Sequence, residues 1–201
     1  MSILVGNDAI DFTAKAVMPD NTIRDITLCD YIKGMKCVLF FYPLNFTFVC
    51  PSEILAFSNA VKQFNERKTK ILGVSVDSEY SHLAWKNTPV NNGGIGSIHF
   101  PLISDLNKTI SQNYGVLIES AGVALRGTFL IDKDFVIRHS VINDLPLGRS
   151  VNEALRMVDA LDHHTEYGEV CPADWHIGEV AMKPTAAGVR TFLTNKHAGM
   201  P

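Results

Sequence analysis

The chain has 201 residues, of which 46% are hydrophobic and 19% charged, and its formal net charge is −3. This length and balance suit one globular domain with a full core and exclude a disordered chain. With no basic block there is no electrostatic footing for nucleic-acid binding, and the longest apolar run, residues 37–44, is far too short to span a bilayer. In chain order, the first eight residues carry neither a basic n-region nor a long apolar stretch, so the expected compartment is the cytoplasm. Lys36-Cys37-Val38-Leu39-Phe40-Phe41-Tyr42 is apolar without alternation, as in a central strand covered on both faces. Ile54, Phe57, Val61 and Phe64 then recur at helical spacing, and residues 71–76 form a second buried-strand run. Strand, helix and strand in this order make a βαβ unit with a largely parallel sheet.

Further along, residues 105–114 read as a helix. Residues 127–131 and 135–141 read as strands flanking a tight Asp132-Lys133-Asp134 hairpin. Ser150-Val151-Asn152-Glu153 has the form of a capping box and opens a helix that buries Val151, Leu155, Val158 and Leu161. From residue 168 onward glycine and proline recur and apolar periodicity is poor, which reads as an arm lying on the domain or on a partner subunit. The expected fold is α/β: a thioredoxin-like mixed sheet flanked by helices over residues 1–165, with an irregular C-terminal arm over 166–201.

The chemistry concentrates at Cys50, in the run Phe41-Tyr42-Pro43-Leu44-Asn45-Phe46-Thr47-Phe48-Val49-Cys50-Pro51-Ser52-Glu53. This cysteine follows a strand and opens a helix, where backbone N–H groups favour the reactive thiolate. Cys171, in Val170-Cys171-Pro172, repeats the Val-Cys-Pro setting of Cys50 and suggests a redox pair. Cytoplasmic cysteines are more often catalytic or metal-binding than structurally bridged, and none of these is spaced C-x-x-C, which disfavours zinc. Cys29 and Cys37 read as buried structural cysteines, and Trp85 as core or interface packing. None of the seven histidines falls in the cysteine run, and none is assigned a catalytic role.

Pro43-x-x-x-Thr47-x-x-Cys50 resembles the active-site signature of the peroxiredoxins, and Phe46-Thr47-Phe48-Val49-Cys50-Pro51-Ser52-Glu53 resembles the typical two-cysteine subfamily. That subfamily includes the peroxidase component of bacterial alkyl hydroperoxide reductase. The likeness extends through Val74-Ser75-Val76-Asp77-Ser78, His82-Leu83-Ala84-Trp85, Phe100-Pro101-Leu102-Ile103-Ser104-Asp105, Leu125-Arg126-Gly127-Thr128-Phe129-Leu130-Ile131-Asp132 and Gly168-Glu169-Val170-Cys171-Pro172-Ala173, in family order. The resemblance implies a thiol peroxidase acting on hydrogen peroxide and organic hydroperoxides. In it Cys50 is the nucleophile, Thr47 and Pro43 shape its pocket, and Arg126 is the active-site arginine. Glu53 orients Arg126, and Arg149 adds a second positive charge. Cys171 would resolve the Cys50 sulfenic acid as a disulfide, across an antiparallel homodimer in the typical subfamily. Thioredoxin or a flavoprotein disulfide reductase would reduce that disulfide, and five dimers would close into a ring. No metal, haem or flavin is needed on the chain.

Gly93-Gly94-Ile95-Gly96 resembles the loop of peroxiredoxins prone to over-oxidation. The companion Tyr-Phe pair is replaced by Thr191-Phe192, so intermediate sensitivity is expected. Two other functional classes compete with this reading, and the first is disfavoured. A disulfide oxidoreductase on this fold requires C-x-x-C at the helix start, where Cys50 is followed by Pro51-Ser52-Glu53. A peroxide-signalling relay or holdase chaperone would use the same redox switch.

Overall fold

The first long strand is a run of residues that cannot face water on either side, and the sheet is built outward from it. A computed structural model describes residues 3–196. Its strands are β1 (Thr13–Val17), β2 (Ile23–Thr27), β3 (Lys36–Phe41), β4 (Thr69–Ser75), β5 (Leu102–Ser104), β6 (Leu117–Ile118), β7 (Val123–Ala124), β8 (Arg126–Ile131) and β9 (Ile137–Asn143). The helices are α1 (Leu28–Ile32), α2 (Cys50–Glu66), α3 (Glu79–Asn87), α4 (Thr109–Asn113), α5 (Val151–Tyr167) and α6 (Ala186–Lys196), with a short 3₁₀ turn at Val90–Asn92. Seven strands form one sheet in the order β2-β1-β5-β4-β3-β8-β9. β3 runs parallel to β4 and β4 to β5, whereas β8 is antiparallel to both β3 and β9. The expected mixed α/β sheet flanked by helices is therefore present.

β3 is continuously apolar because both of its faces are covered. Leu39 and Phe41 point into a core with Leu72, Val74, Phe129 and Ile131 of the neighbouring strands and Leu28 and Ile32 of α1. On the opposite face, Phe40 stacks on Phe57 of α2 with ring centroids 4.5 Å apart and meets Phe100 edge-on at 5.6 Å. Ile54, Phe57 and Phe64 are buried, which accounts for the periodicity seen in the sequence; Val61 is only half-buried.

Four local differences from the sequence reading have physical causes. The helix expected over residues 105–114 shrinks to α4, because Lys108 adopts a left-handed φ of 65°. The Asp105 carboxylate also takes the Ile110 and Ser111 N–H groups, at 3.0 and 2.7 Å. β9 begins at Ile137 rather than at residue 135, because Asp132 accepts the N–H groups of Asp134 and Val136 and builds the turn itself. β1, β2 and β5 escaped the sequence reading: β5 has three residues, too few to show a period, and only the end of β1 is buried. The C-terminal arm is less irregular than its composition implies, since α6 runs through it.

The chain forms two compact units, one ending at Val151 and the other beginning at Asn152. The second takes in nearly all of α5 and the arm. Within it Val170 and Met182 exchange both backbone hydrogen bonds, at 2.8 and 2.9 Å. Among the described residues no helix is long and apolar enough to cross a membrane.

Candidate active site

The segment between β3 and α2 is where a buried strand must turn into a helix, and Cys50 is the first residue of that helix. Pro51 sits in the first turn, where a missing N–H costs nothing. Ser52 and Glu53 direct their N–H groups back to the Val49 carbonyl, at 3.1 and 3.3 Å. Cys50 is fully buried. The Thr47 hydroxyl lies 2.9 Å from Cys50 Sγ and 2.8 Å from the Leu44 carbonyl oxygen. It holds one proton, so it donates to the carbonyl while the sulfur is a thiol and to the sulfur once that is a thiolate. Pro43 is buried at the head of the same segment.

Two arginines from distant parts of the chain join Glu53, three residues after Cys50 on α2, in a charge cluster beside the sulfur. Arg126, at the start of β8, places Nη1 3.4 Å from Sγ and 2.7 Å from Glu53 Oε2, while its Nε donates to the Leu145 carbonyl at 2.7 Å. Arg149 holds Glu53 more completely: its backbone N–H and Nε reach Oε1 at 2.9 Å each, and its Nη2 reaches Oε2 at 2.8 Å. Its Nη1 bridges the carbonyls of Phe41 and Gly127, at 2.7 and 2.9 Å, and its guanidinium lies over the Phe40 ring at 4.9 Å. The side chains of Arg126, Glu53 and Arg149 are 4%, 3% and 2% exposed, so this is a buried charge cluster and not a surface ion pair. Burial pushes Arg149 below the ordinary arginine value, against the pull of Glu53.

Counting formal charges, two guanidiniums and one carboxylate leave the buried cluster at +1 beside Cys50 Sγ.

Cys171 lies in the second compact unit, directly after the Val170–Met182 bridge. Its thiol is half-buried and points to the Ala160 carbonyl at 3.6 Å. Partial burial raises its pKa above the ordinary thiol value, with Arg156 opposing. All four cysteines are free. Cys37 is wholly buried and its pKa is pushed far up by loss of solvent. Cys29 is pushed up first by its hydrogen bond with Asp11, and burial adds to this.

The sequence reading passed over Asn45 and His82, which lie behind the Cys50 loop and bond to each other. The available signal was a single polar residue, Asn45, inside the otherwise apolar run 38–46. Trp85, left between core and interface, is fully buried and donates its indole N–H to the Gly93 carbonyl at 2.9 Å, tying down the glycine loop.

Residues 5–140 match the AhpC/TSA family model, and residues 160–195 match the model of the C-terminal domain of 1-Cys peroxiredoxin. The chain is 53% identical over 192 residues to alkyl hydroperoxide reductase C of Helicobacter pylori, covering 95% of this chain and 96% of that one. It is 50% identical over 193 residues to peroxiredoxin-2 of Mus musculus, covering 96% of each. Among solved structures, the reduced 2-Cys peroxiredoxin of Plasmodium vivax superposes with a TM-score of 0.94 at 48% identity, over 96% of this chain and 100% of that one. With identity of this order along nearly its whole length and a buried cysteine beside an arginine at the start of α2, the chain belongs to the AhpC/TSA family of peroxiredoxins, thiol-dependent peroxidases.

Proposed function

We propose that the protein reduces hydrogen peroxide and small organic hydroperoxides at Cys50 and completes each turnover through Cys171. The observation that carries this reading is the placement of Cys50 Sγ between the Thr47 hydroxyl, at 2.9 Å, and Arg126 Nη1, at 3.4 Å. The Cys50 thiolate attacks one peroxide oxygen and the O–O bond breaks. The bonding pair leaves on the distal oxygen, which departs as water or an alcohol after taking a proton. Arg126 supports the negative charge as it moves onto the leaving oxygen, and Thr47 orients the peroxide by accepting from it and donating to it. Glu53 orients Arg126, Arg149 locks Glu53, and Pro43, which has no N–H, keeps water from the sulfur. The product is a sulfenic acid at Cys50.

Cys171 then attacks the sulfenic sulfur and expels its oxygen as water, leaving a Cys50–Cys171 disulfide. The raised pKa of Cys171 suits a thiol that leaves peroxide alone. Opening its segment to water removes the burial penalty and brings the thiol back toward its ordinary value, raising the fraction that can attack. An external dithiol, thioredoxin or a flavoprotein disulfide reductase, reduces the disulfide by exchange. The assembly in which this occurs is a homodimer, with five dimers forming a ring, and the compartment is the cytoplasm.

The test is stopped-flow oxidation by hydrogen peroxide with non-reducing gels on the wild type, Cys50→Ser and Cys171→Ser. Cys50→Ser should be inactive. Cys171→Ser should react once, form no peroxide-induced linked band and fail to turn over with thioredoxin. Normal turnover by Cys171→Ser would move the resolving role to Cys29 or Cys37, and activity in Cys50→Ser would end the proposal.

A further inference from the structure

The loop that carries Thr47 alternates between exposed apolar residues and one buried amide. Leu44, Phe46 and Phe48 are 37%, 53% and 98% exposed, whereas Asn45 between them is 6% exposed. Asn45 is held by its backbone and by both ends of its amide. Its N–H donates to Asp77 Oδ2 at 2.9 Å. Its side-chain nitrogen reaches Ser81 Oγ at 2.8 Å and His82 Nδ1 at 3.0 Å, and its side-chain oxygen accepts from the Tyr42 hydroxyl at 2.9 Å.

The partners are themselves fixed. Asp77 accepts the hydroxyls of Ser75 and Ser81, at 2.7 and 3.2 Å. His82, fully buried on α3, faces the Ile103 carbonyl with Nε2 at 3.1 Å. A carbonyl can only accept, so Nε2 carries the ring proton and Nδ1 is left as the acceptor for Asn45. Burial lowers the His82 pKa to about 4, so the ring is neutral near pH 7 and keeps that acceptor.

What this clasp holds is a strained turn. Phe46, the next residue, has a φ of 54°, a conformation that bulky side chains rarely adopt. Thr47 follows immediately, and its hydroxyl bridges Leu44 and Cys50 Sγ. Leu44 and Thr47 therefore sit on either side of a turn whose one buried residue is anchored to α3. If Asn45 lets go, Phe46 can relax and the Thr47 hydroxyl leaves its place.

We propose that Asn45 is a positioning residue for peroxide reduction, its hold on Asp77, Ser81 and His82 setting where the Thr47 hydroxyl stands relative to Cys50 Sγ. This rests on the reading that Thr47 and Cys50 form the peroxide site. A displacement of about 1 Å in a group that orients a reactant costs on the order of a hundredfold in rate, and Asn45→Ala should lose about tenfold to a hundredfold. The charge cluster of Arg126, Glu53 and Arg149 makes no bond to Asn45, so the nucleophilicity of the sulfur should survive.

The experiment measures, on the reduced full-length protein, the second-order rate constant of Cys50 with hydrogen peroxide and with iodoacetamide. The variants are Asn45→Ala, Ser81→Ala, Thr47→Val and the double variant Asn45→Ala/Thr47→Val. Asn45→Ala should slow the peroxide reaction while alkylation stays within about threefold of wild type. It should add little to Thr47→Val in the double variant, because both act through one hydroxyl. Ser81→Ala, which removes one bond of the clasp, should show the same pattern more weakly and serves if Asn45→Ala does not fold. Peroxide and alkylation rates falling together, full additivity in the double variant, or a wild-type peroxide rate in Asn45→Ala and Ser81→Ala would each overturn the proposal. A wild-type peroxide rate in Thr47→Val would instead remove the underlying reading of the site.

Discussion

At the scale of single residues, Glu53 links the two arginines beside Cys50. Among the described residues it is the only carboxylate bonded to the two guanidiniums of the cluster, and all three groups are buried. Glu53→Gln leaves two buried positive charges with only a thiolate between them. Breaking a buried ion pair on one side costs about 3 kcal/mol or more. We expect that loss in urea denaturation, together with a fall of about tenfold in the peroxide rate as Arg126 loses its orientation. Arg126→Met removes the charge nearest the sulfur and should slow peroxide reduction by about a hundredfold or more in stopped-flow. In the sequence, Glu53 had an adequate second explanation as a first-turn acid on a helix dipole, and Arg149 one as a surface residue before a cap. Neither could be settled locally, because Arg149 lies 96 residues from Glu53.

At the scale of elements, α3 is the support behind the Cys50 loop, and its tie to the sheet is sensitive to acid. His82 is held neutral by burial, while the negative charges of Asp77 and Glu79 pull the other way. Its folded pKa of about 4 lies below the ordinary 6.5, so between these values the unfolded chain binds the proton more readily. The contribution is therefore fully present above pH 6.5 and is lost as pH falls toward 4, amounting to about 3 kcal/mol. Urea midpoints measured from pH 7 to 4.5 should fall, and fall less steeply in His82→Gln. The start of the same helix depends on Ser78, whose hydroxyl accepts the Ser81 N–H at 3.2 Å. Ser78→Ala should cost about 1 kcal/mol in the same assay.

At the scale of the whole molecule, the two units differ in how much they bury. β3 has five of its six residues buried, whereas α6 has none. Local opening is easiest where few apolar groups are buried. Hydrogen exchange on the reduced protein should therefore find the amides of α6 exchanging well before those of β3 and β4. Equal protection of the two would show that α6 is covered by another chain in solution.

What could be read from the sequence was what neighbours in the chain decide. The unbroken apolar run of β3, the period of Ile54, Phe57 and Phe64, and a cysteine at the strand-to-helix turn with a threonine one turn before it are all local. They led to the parallel unit, to α2 and to Cys50 with Thr47. The shortened α4 and the overlooked α6 were misread because a left-handed Lys108 and a helix with no buried face leave no apolar period. Tertiary structure alone brought Arg126 and Arg149 to Glu53, and His82 to Asn45, from 73, 96 and 37 residues away. A charge or an amide can be buried only if its partners are present, and those partners are chosen by the fold rather than by adjacency.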